Sequence, residues 1–218
     1  MFQKTKERFD EYYRLLDHQN TPGFVRDLGC EVGERLEQLD YIIRRVTELD
    51  QTAAAAMSRS ERRFREHVDR VIAEGLDYTK EPVPEDANVT KEEIQTHIQA
   101  SFEMKLLTEA FYFFASRVRT ILKHKSQPVP GLEGFECEGV RNVRNKLLEH
   151  PEGADSQIFT QSWASGGAQG PVHKALRYAG QETIFPDPGL YANAEEFSRN
   201  LDDILKRAFA AQDAAALK

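Results

Sequence analysis

Apolar residues recur at three- and four-residue spacing over most of the chain, and the pattern breaks where Pro and Gly cluster. Phe9, Tyr12, Tyr13 and Leu16 predict a first helix over residues 2–18, ended by Asn20-Thr21-Pro22-Gly23. Leu28, Val32, Leu36, Leu39, Ile43, Val46 and Leu49 predict a long amphipathic helix from about 23 to 52. Ala53 to Ala56 either continue it or hinge it. Ser58 and Glu61 then have the spacing of a capping box, in which a hydroxyl and a carboxylate satisfy each other's backbone N–H groups. That predicts a third helix with its stripe at Phe64, Val68, Val71, Ile72 and Leu76. The arginines along it (59, 62, 63, 65, 70) alternate with Glu61, Glu66 and Asp69, which reads as an ion-paired surface.

Lys80 to Ala87, with Pro82 and Pro84, reads as an extended linker. Thr90 and Glu93 cap a fourth helix predicted to run to about Lys125. Ile94, Ile98, Phe102, Leu106, Ala110, Phe114 and Val118 mark one side of it, and Met104, Leu107, Phe111, Ile121 and Leu122 widen that side. Over Ala110–Ala115 the helix is apolar nearly all round, so it is expected to be enclosed by neighbours. After the Pro128–Gly131 break a short helix is predicted over 136–150, closed by Pro151.

Beyond Pro151 the texture changes. Gln157–Trp163 has strand composition, 166–171 is a Gly-rich loop, and Val172–Tyr178 reads as a partner strand or a short helix. Asn193 and Glu196 are placed to cap a last helix through Phe197, Leu201, Leu205 and Phe209. The sequence thus predicts one all-α domain over 1–218: a bundle of five to six helices, a small irregular insert with a β-hairpin over 154–190, and a frayed tail over 210–218.

Composition narrows the class. The 218 residues are 40% hydrophobic and 30% charged, with a net charge of −7, enough chain to bury a core without staples. Only Cys30 and Cys137 are present, far apart, which suits a reducing, cytoplasmic compartment. The first residues mix charges and lead into no apolar run, which predicts no signal peptide, and no window suits a membrane span. Charge is uneven, however. Seven Lys/Arg face three Glu between Arg117 and Lys146, a basic zone able to guide a polyanion on an otherwise acidic body.

Several chemistries lack their residues. There is no phosphate-binding Gly-rich loop with a following Lys, no His-Glu-x-x-His, no Glu-x-x-His and no thiol pair at metal spacing. No metal and no cofactor are therefore expected. Glu93 and His97, one turn apart, read as a surface hydrogen bond, and His18, His67, His124 and His173 as solvated.

Gly139 to Gly153 stands out, because only there do Arg, Asn and His fall together. Attack of an RNA 2′-hydroxyl on the adjacent phosphate needs a group that moves protons near neutral pH, the property of His150. It also needs a cation aimed at the phosphate oxygens, for which the fork of Arg144 is suited. Asn145 could position a ribose or phosphate oxygen. Helix geometry sets a competing reading: Val140, Val143, Leu147 and His150 lie on one stripe, and a His in a last turn favours the negative end of the helix dipole.

Arg144-Asn145-Lys146-Leu147-Leu148-Glu149-His150 resembles the signature of the HEPN superfamily, an Arg, a polar residue and a His after a short interval, on a short helix following a long apolar one. The resemblance implies an all-α bundle that dimerises to bring two motifs into one cleft. It also implies a metal-independent endoribonuclease of a toxin–antitoxin or defence system, with RNA as substrate and an antitoxin or other protein as partner. On that basis Arg144 and His150 would be catalytic and Asn145 supporting, with Arg141, Glu109 and Glu103 as further supporting candidates. The alternative from the residues is a non-catalytic interaction module that keeps a HEPN-like fold, in which His150 is a cap.

Overall fold

The computed structural model describes residues 1–125, 128–148, 156–161, 172–177, 182–184 and 189–216. Among the described residues five helices carry the fold: α1 Gln3–His18, α2 Arg26–Ala73, α3 Lys91–Leu122, α4 Glu138–Leu148 and α5 Leu190–Ala216. The insert between α4 and α5 contains an antiparallel sheet of β1 Ser156–Gln161, β2 Val172–Arg177 and β3 Glu182–Ile184, in the order β1-β2-β3. Ser156 stands opposite Arg177, and Lys174 opposite Ile184. The all-α bundle is thus confirmed, and the described residues of its insert form three strands.

Of the two readings of Ala53 to Ala56 the helix continues, and the cap expected at Ser58 does not form. α2 is one helix of 48 residues, about 72 Å at 1.5 Å per residue. Ala53 to Ala56 are good helix formers, and Ala53, Ala56 and Ser60 are all buried against neighbours, so nothing rewards a break there. The Thr90 cap is real. Its hydroxyl accepts from the Glu93 N–H, and the Glu93 carboxylate accepts from the Thr90 N–H at 3.0 Å. α5 begins earlier than the Asn193 cap expected, at Leu190, and runs to Ala216 with its last residues exposed.

α2 and α3 lie antiparallel, held at intervals by Arg forks on carboxylates. Arg117 donates to both oxygens of Glu31 (2.8 and 3.1 Å), Arg45 to both of Glu103 (2.8 and 3.3 Å), and Arg63 to both of Glu93 (2.9 and 2.6 Å). Between them Ala53, Ala100, Met104, Phe111, Ala115 and Val118 are buried. α1 and α5 complete the core at the N-terminal half of α2, through Phe2, Phe9, Tyr12, Phe197, Leu201 and Leu205. Phe2 sits edge-on to Phe197, and the buried hydroxyls of Thr5 and Ser198 bond at 2.8 Å. The Met1 ammonium and the Phe2 N–H both donate to Asp40 on α2, tying the start of α1 down.

Several expectations about side chains are overturned. Phe64, Ile72 and Leu76 of the stripe expected at the end of α2 are exposed, and Glu93, expected to bond His97 at the surface, is buried on Arg63 and Thr90. His67 is buried at the seam side of α2, not solvated. On α3, Phe111, Tyr112 and Ala115 are enclosed but Phe113 is not, and Ile94, Ile98, Phe102 and Leu106 face solvent. The seam takes the other side of the helix, where Ala100 and Ala115 are buried together with Met104, Phe111 and Val118. Among the described residues no helix is long and apolar enough to cross a membrane.

The Glu93 site generates a pH prediction. The Arg63 fork, then the Thr90 N–H, hold its carboxyl down at about 2 against an ordinary 4.5. A lowered carboxylate stabilises the fold above its unfolded value, and that contribution is lost as pH falls from about 4.5 toward about 2. Glu93→Gln should flatten the fall in stability across that window, measured by urea unfolding at stepped pH, while lowering stability at pH 7.

Candidate functional site

α4 is built by its apolar stripe. Val140 and Val143 are buried, as is Cys137 just before it, where burial pushes the thiol up to about 12 and leaves it unreactive. The loop leading in is pinned by Val129, Leu132 and Phe135, the last packed edge-on against Phe197 at 5.1 Å. Tyr12 donates to the Pro130 carbonyl at 2.9 Å, and Asn200 to the Glu136 carbonyl at 3.0 Å.

Gly139 sets the approach of α4 to α5. A Cβ there would lie 2.2 Å from Asn193 Oδ1 and 3.0 Å from Glu196 Oε2. Asn193 is itself fully buried, and its amide donates to the Tyr112 hydroxyl at 2.8 Å. The residue read as a helix cap is therefore an internal link from α5 to α3, which also fixes the first turn of α4 beside Tyr112.

Of the six site residues expected from the sequence, the structure brings two together. Arg144 and Asn145 are both half-buried, and Arg144 Nη1 donates to Asn145 Oδ1 at 3.4 Å, a long contact. Arg144 sits at the edge of the Val140/Val143 stripe, which explains its partial burial. Arg141 is on the wet side, 3.5 Å from Glu138. Glu103 is taken up by Arg45 on α2. Glu109 is half-buried on α3 and makes no hydrogen bond or ion pair among the described residues. His150 lies outside the described residues, as does the side chain of Leu147 on the same predicted stripe.

The basic zone is largely neutralised. Arg119 and Lys123 both pair with Glu136, Arg117 with Glu31, and Arg141 with Glu138, four of the seven cations. Glu136 is accordingly held below the usual carboxylate range, first by Lys123 and then, past its desolvation, by Arg119. A zone paired in this way offers phosphate much less field than its sequence promised.

A second polar group was not flagged by periodicity. Asp50 is 5% exposed on the core stripe of α2, with Thr47 one turn before it and the Tyr191 hydroxyl close to both. Burial raises the Tyr191 phenol above its ordinary value. The signal available in the sequence was an acid in line with Val46 and Ala53. Among the described residues no three His, Cys, Asp or Glu side chains gather at metal-binding distance.

Gly139→Ala should lower the melting temperature. Alanine gains about 1 kcal/mol of helix propensity over glycine. A Cβ forced against an anchored, buried Asn193 costs typically 1–3 kcal/mol, so the clash wins. Gly134→Ala, whose Cβ would meet Ile204 Cδ1 at an ordinary 3.6 Å, should change little in the same thermal scan. No family model, curated protein or solved structure matches this chain.

Proposed function

We propose that the chain is a helical interaction module whose working surface is the outer side of α3. The observation that carries this reading is a row of large apolar side chains left in solvent: Ile94 46% exposed, Ile98 60%, Phe102 63%, Leu106 50% and Phe113 55%. Each step of four residues advances about 40° and the step of seven falls back about 20°, so all five lie within a face about 120° wide on the side away from α2. Their combined area is on the order of 500 Å², at the upper end of the apolar patches that monomers carry and typical of binding surfaces. Much of the remaining exposed helical surface is dense in Lys, Arg, Glu and Asp, although the end of α2 also leaves Phe64 and Ile72 in solvent; the α3 row is the longest of these apolar sets.

The reading requires that the face be open and not part of the chain's own core. Replacing Ile98, Phe102 and Leu106 together by Glu should leave the melting temperature of sub-micromolar protein within a few degrees of wild type. Loss of cooperative unfolding, or a fall comparable to that of a core variant such as Met104→Ala, would refute it. Met104→Ala removes a fully buried side chain and should cost about 2–5 kcal/mol.

A second reading, a HEPN-like metal-independent endoribonuclease, is favoured by one observation. Arg144 and Asn145 lie side by side and half-buried on a helix docked against α3 and α5, so a cation and an amide are held together at a rigid position. In that mechanism Arg144 would bind the scissile phosphate and His150 would move the proton, with no metal involved. RNA cleavage in EDTA by wild type, lost by about a hundredfold or more in Arg144→Ala and His150→Ala proteins of unchanged circular dichroism, is the expected result. Cleavage that survives both substitutions, or that is absent throughout, removes this reading.

A further inference from the structure

The kind of partner that α3 receives follows from the shape of the exposed row. Ile94, Ile98, Phe102 and Leu106 are each four residues apart, so they form a single ridge inclined to the helix axis by about 26°. Ridges of this class pack into the grooves of a like ridge, with the helices crossing at about −50°, the commonest helix–helix geometry in globular proteins. A ridge built this way is complementary to itself. A second copy of the same helix, related by a two-fold axis, presents the matching groove without any further requirement, and two-fold pairs are the commonest form of assembly.

We infer that the occupant of this face is a second copy of the chain, docked α3 against α3 through Ile94, Ile98, Phe102 and Leu106. The inference rests on the reading of the α3 face as a binding surface. Area supports it. Two copies of the four-residue ridge would remove roughly 800–900 Å² of apolar surface from water, the size of a small, reversible interface.

Charge supports it too. None of the four ridge residues is charged, and the flanking Lys91, Lys105 and Glu109 include both signs. With the axis between Ile98 and Phe102, the Lys91 end of one ridge lies toward the Glu109 end of the other, so the flanks attract. In the same arrangement Ile98 of one copy meets Phe102 of the next. The contact differs from a pairing of two α4 helices, because the motif residues Arg144 and Asn145 take no part in it.

Sedimentation velocity of the full chain, from about 1 to about 100 µM, tests this directly. Wild type should be dimeric across most of that range. Ile98→Glu and Phe102→Glu should each raise the dissociation constant by about a hundredfold or more and sediment as monomers, with unchanged circular dichroism. Tyr41→Glu, at an exposed aromatic position on α2, and Arg144→Ala should remain dimeric. A monomeric wild type at about 100 µM, or an Ile98→Glu/Phe102→Glu double variant that still dimerises, overturns the inference. If that monomer tolerates the triple Glu substitution without loss of melting temperature, only the self-association is overturned and the open binding face stands. If the triple variant unfolds, both fall.

Discussion

The antiparallel seam between α2 and α3 is the constraint on which the other elements depend. Each of its three Arg forks is partly wet, so their worth lies less in net stability than in register. Glu31 with Arg117, Arg45 with Glu103 and Arg63 with Glu93 can all be satisfied together only at one axial offset of the two helices. Sliding either helix by a turn would strand at least one carboxylate beside apolar surface. The small residues of the seam, Ala53, Ala56, Ala100 and Ala115, allow the close approach that makes the forks reach. α1 and α5 then close over the half of α2 that extends alongside them.

That choice of seam also decides what is left uncovered. α3 carries more apolar residues than one packed side can absorb, and two stripes compete for burial. One stripe, Ala100, Met104, Phe111, Ala115, Val118 and Leu122, mixes small side chains with large ones. The other, Ile94, Ile98, Phe102 and Leu106, is uniformly bulky. Periodicity registers both equally, because a spacing of three or four says that residues share a side and not which side has a neighbour. The expectation of burial followed from that spacing, and burial goes to the side of α3 that faces α2, large side chains such as Met104, Phe111 and Leu122 included.

Legibility elsewhere divides along the same line. Local signals were readable: the Thr90/Glu93 capping box, the break at Pro128–Gly131, the Val140/Val143 stripe of α4, and the strand composition of 157–163 and 172–178. Signals that depend on a distant partner were not. Ser58/Glu61 has the capping-box spacing but lies inside a continuous helix, because Ser60 and Ala56 gain more from burial than a cap would supply. Asn193 looks like a cap and is instead a buried donor to Tyr112, 81 residues away. Arg119 and Lys123 look like a polyanion site until Glu136 is brought across the intervening loop to meet both. The adjacency of Arg144 and Asn145 was given by the sequence itself, but their half-burial comes from where α4 meets α3 and α5.

These two kinds of surface weigh differently as evidence of use. An Arg beside an Asn at the edge of a helix is satisfied by ordinary packing and bonding, so its presence requires no ligand. An exposed row of Ile, Ile, Phe and Leu is not satisfied by anything within the described chain. Each such residue exposes about 20–30 cal/mol of unfavourable free energy per Å² that a Lys or Glu at the same position would avoid. α2 shows that this chain readily places charges on wet helical faces, with Glu34, Glu37, Arg44 and Glu48 alternating along its exposed side. The absence of that pattern from Ile98, Phe102 and Leu106, on a helix whose other side is already fixed by the seam, is what makes the α3 face the stronger functional signal.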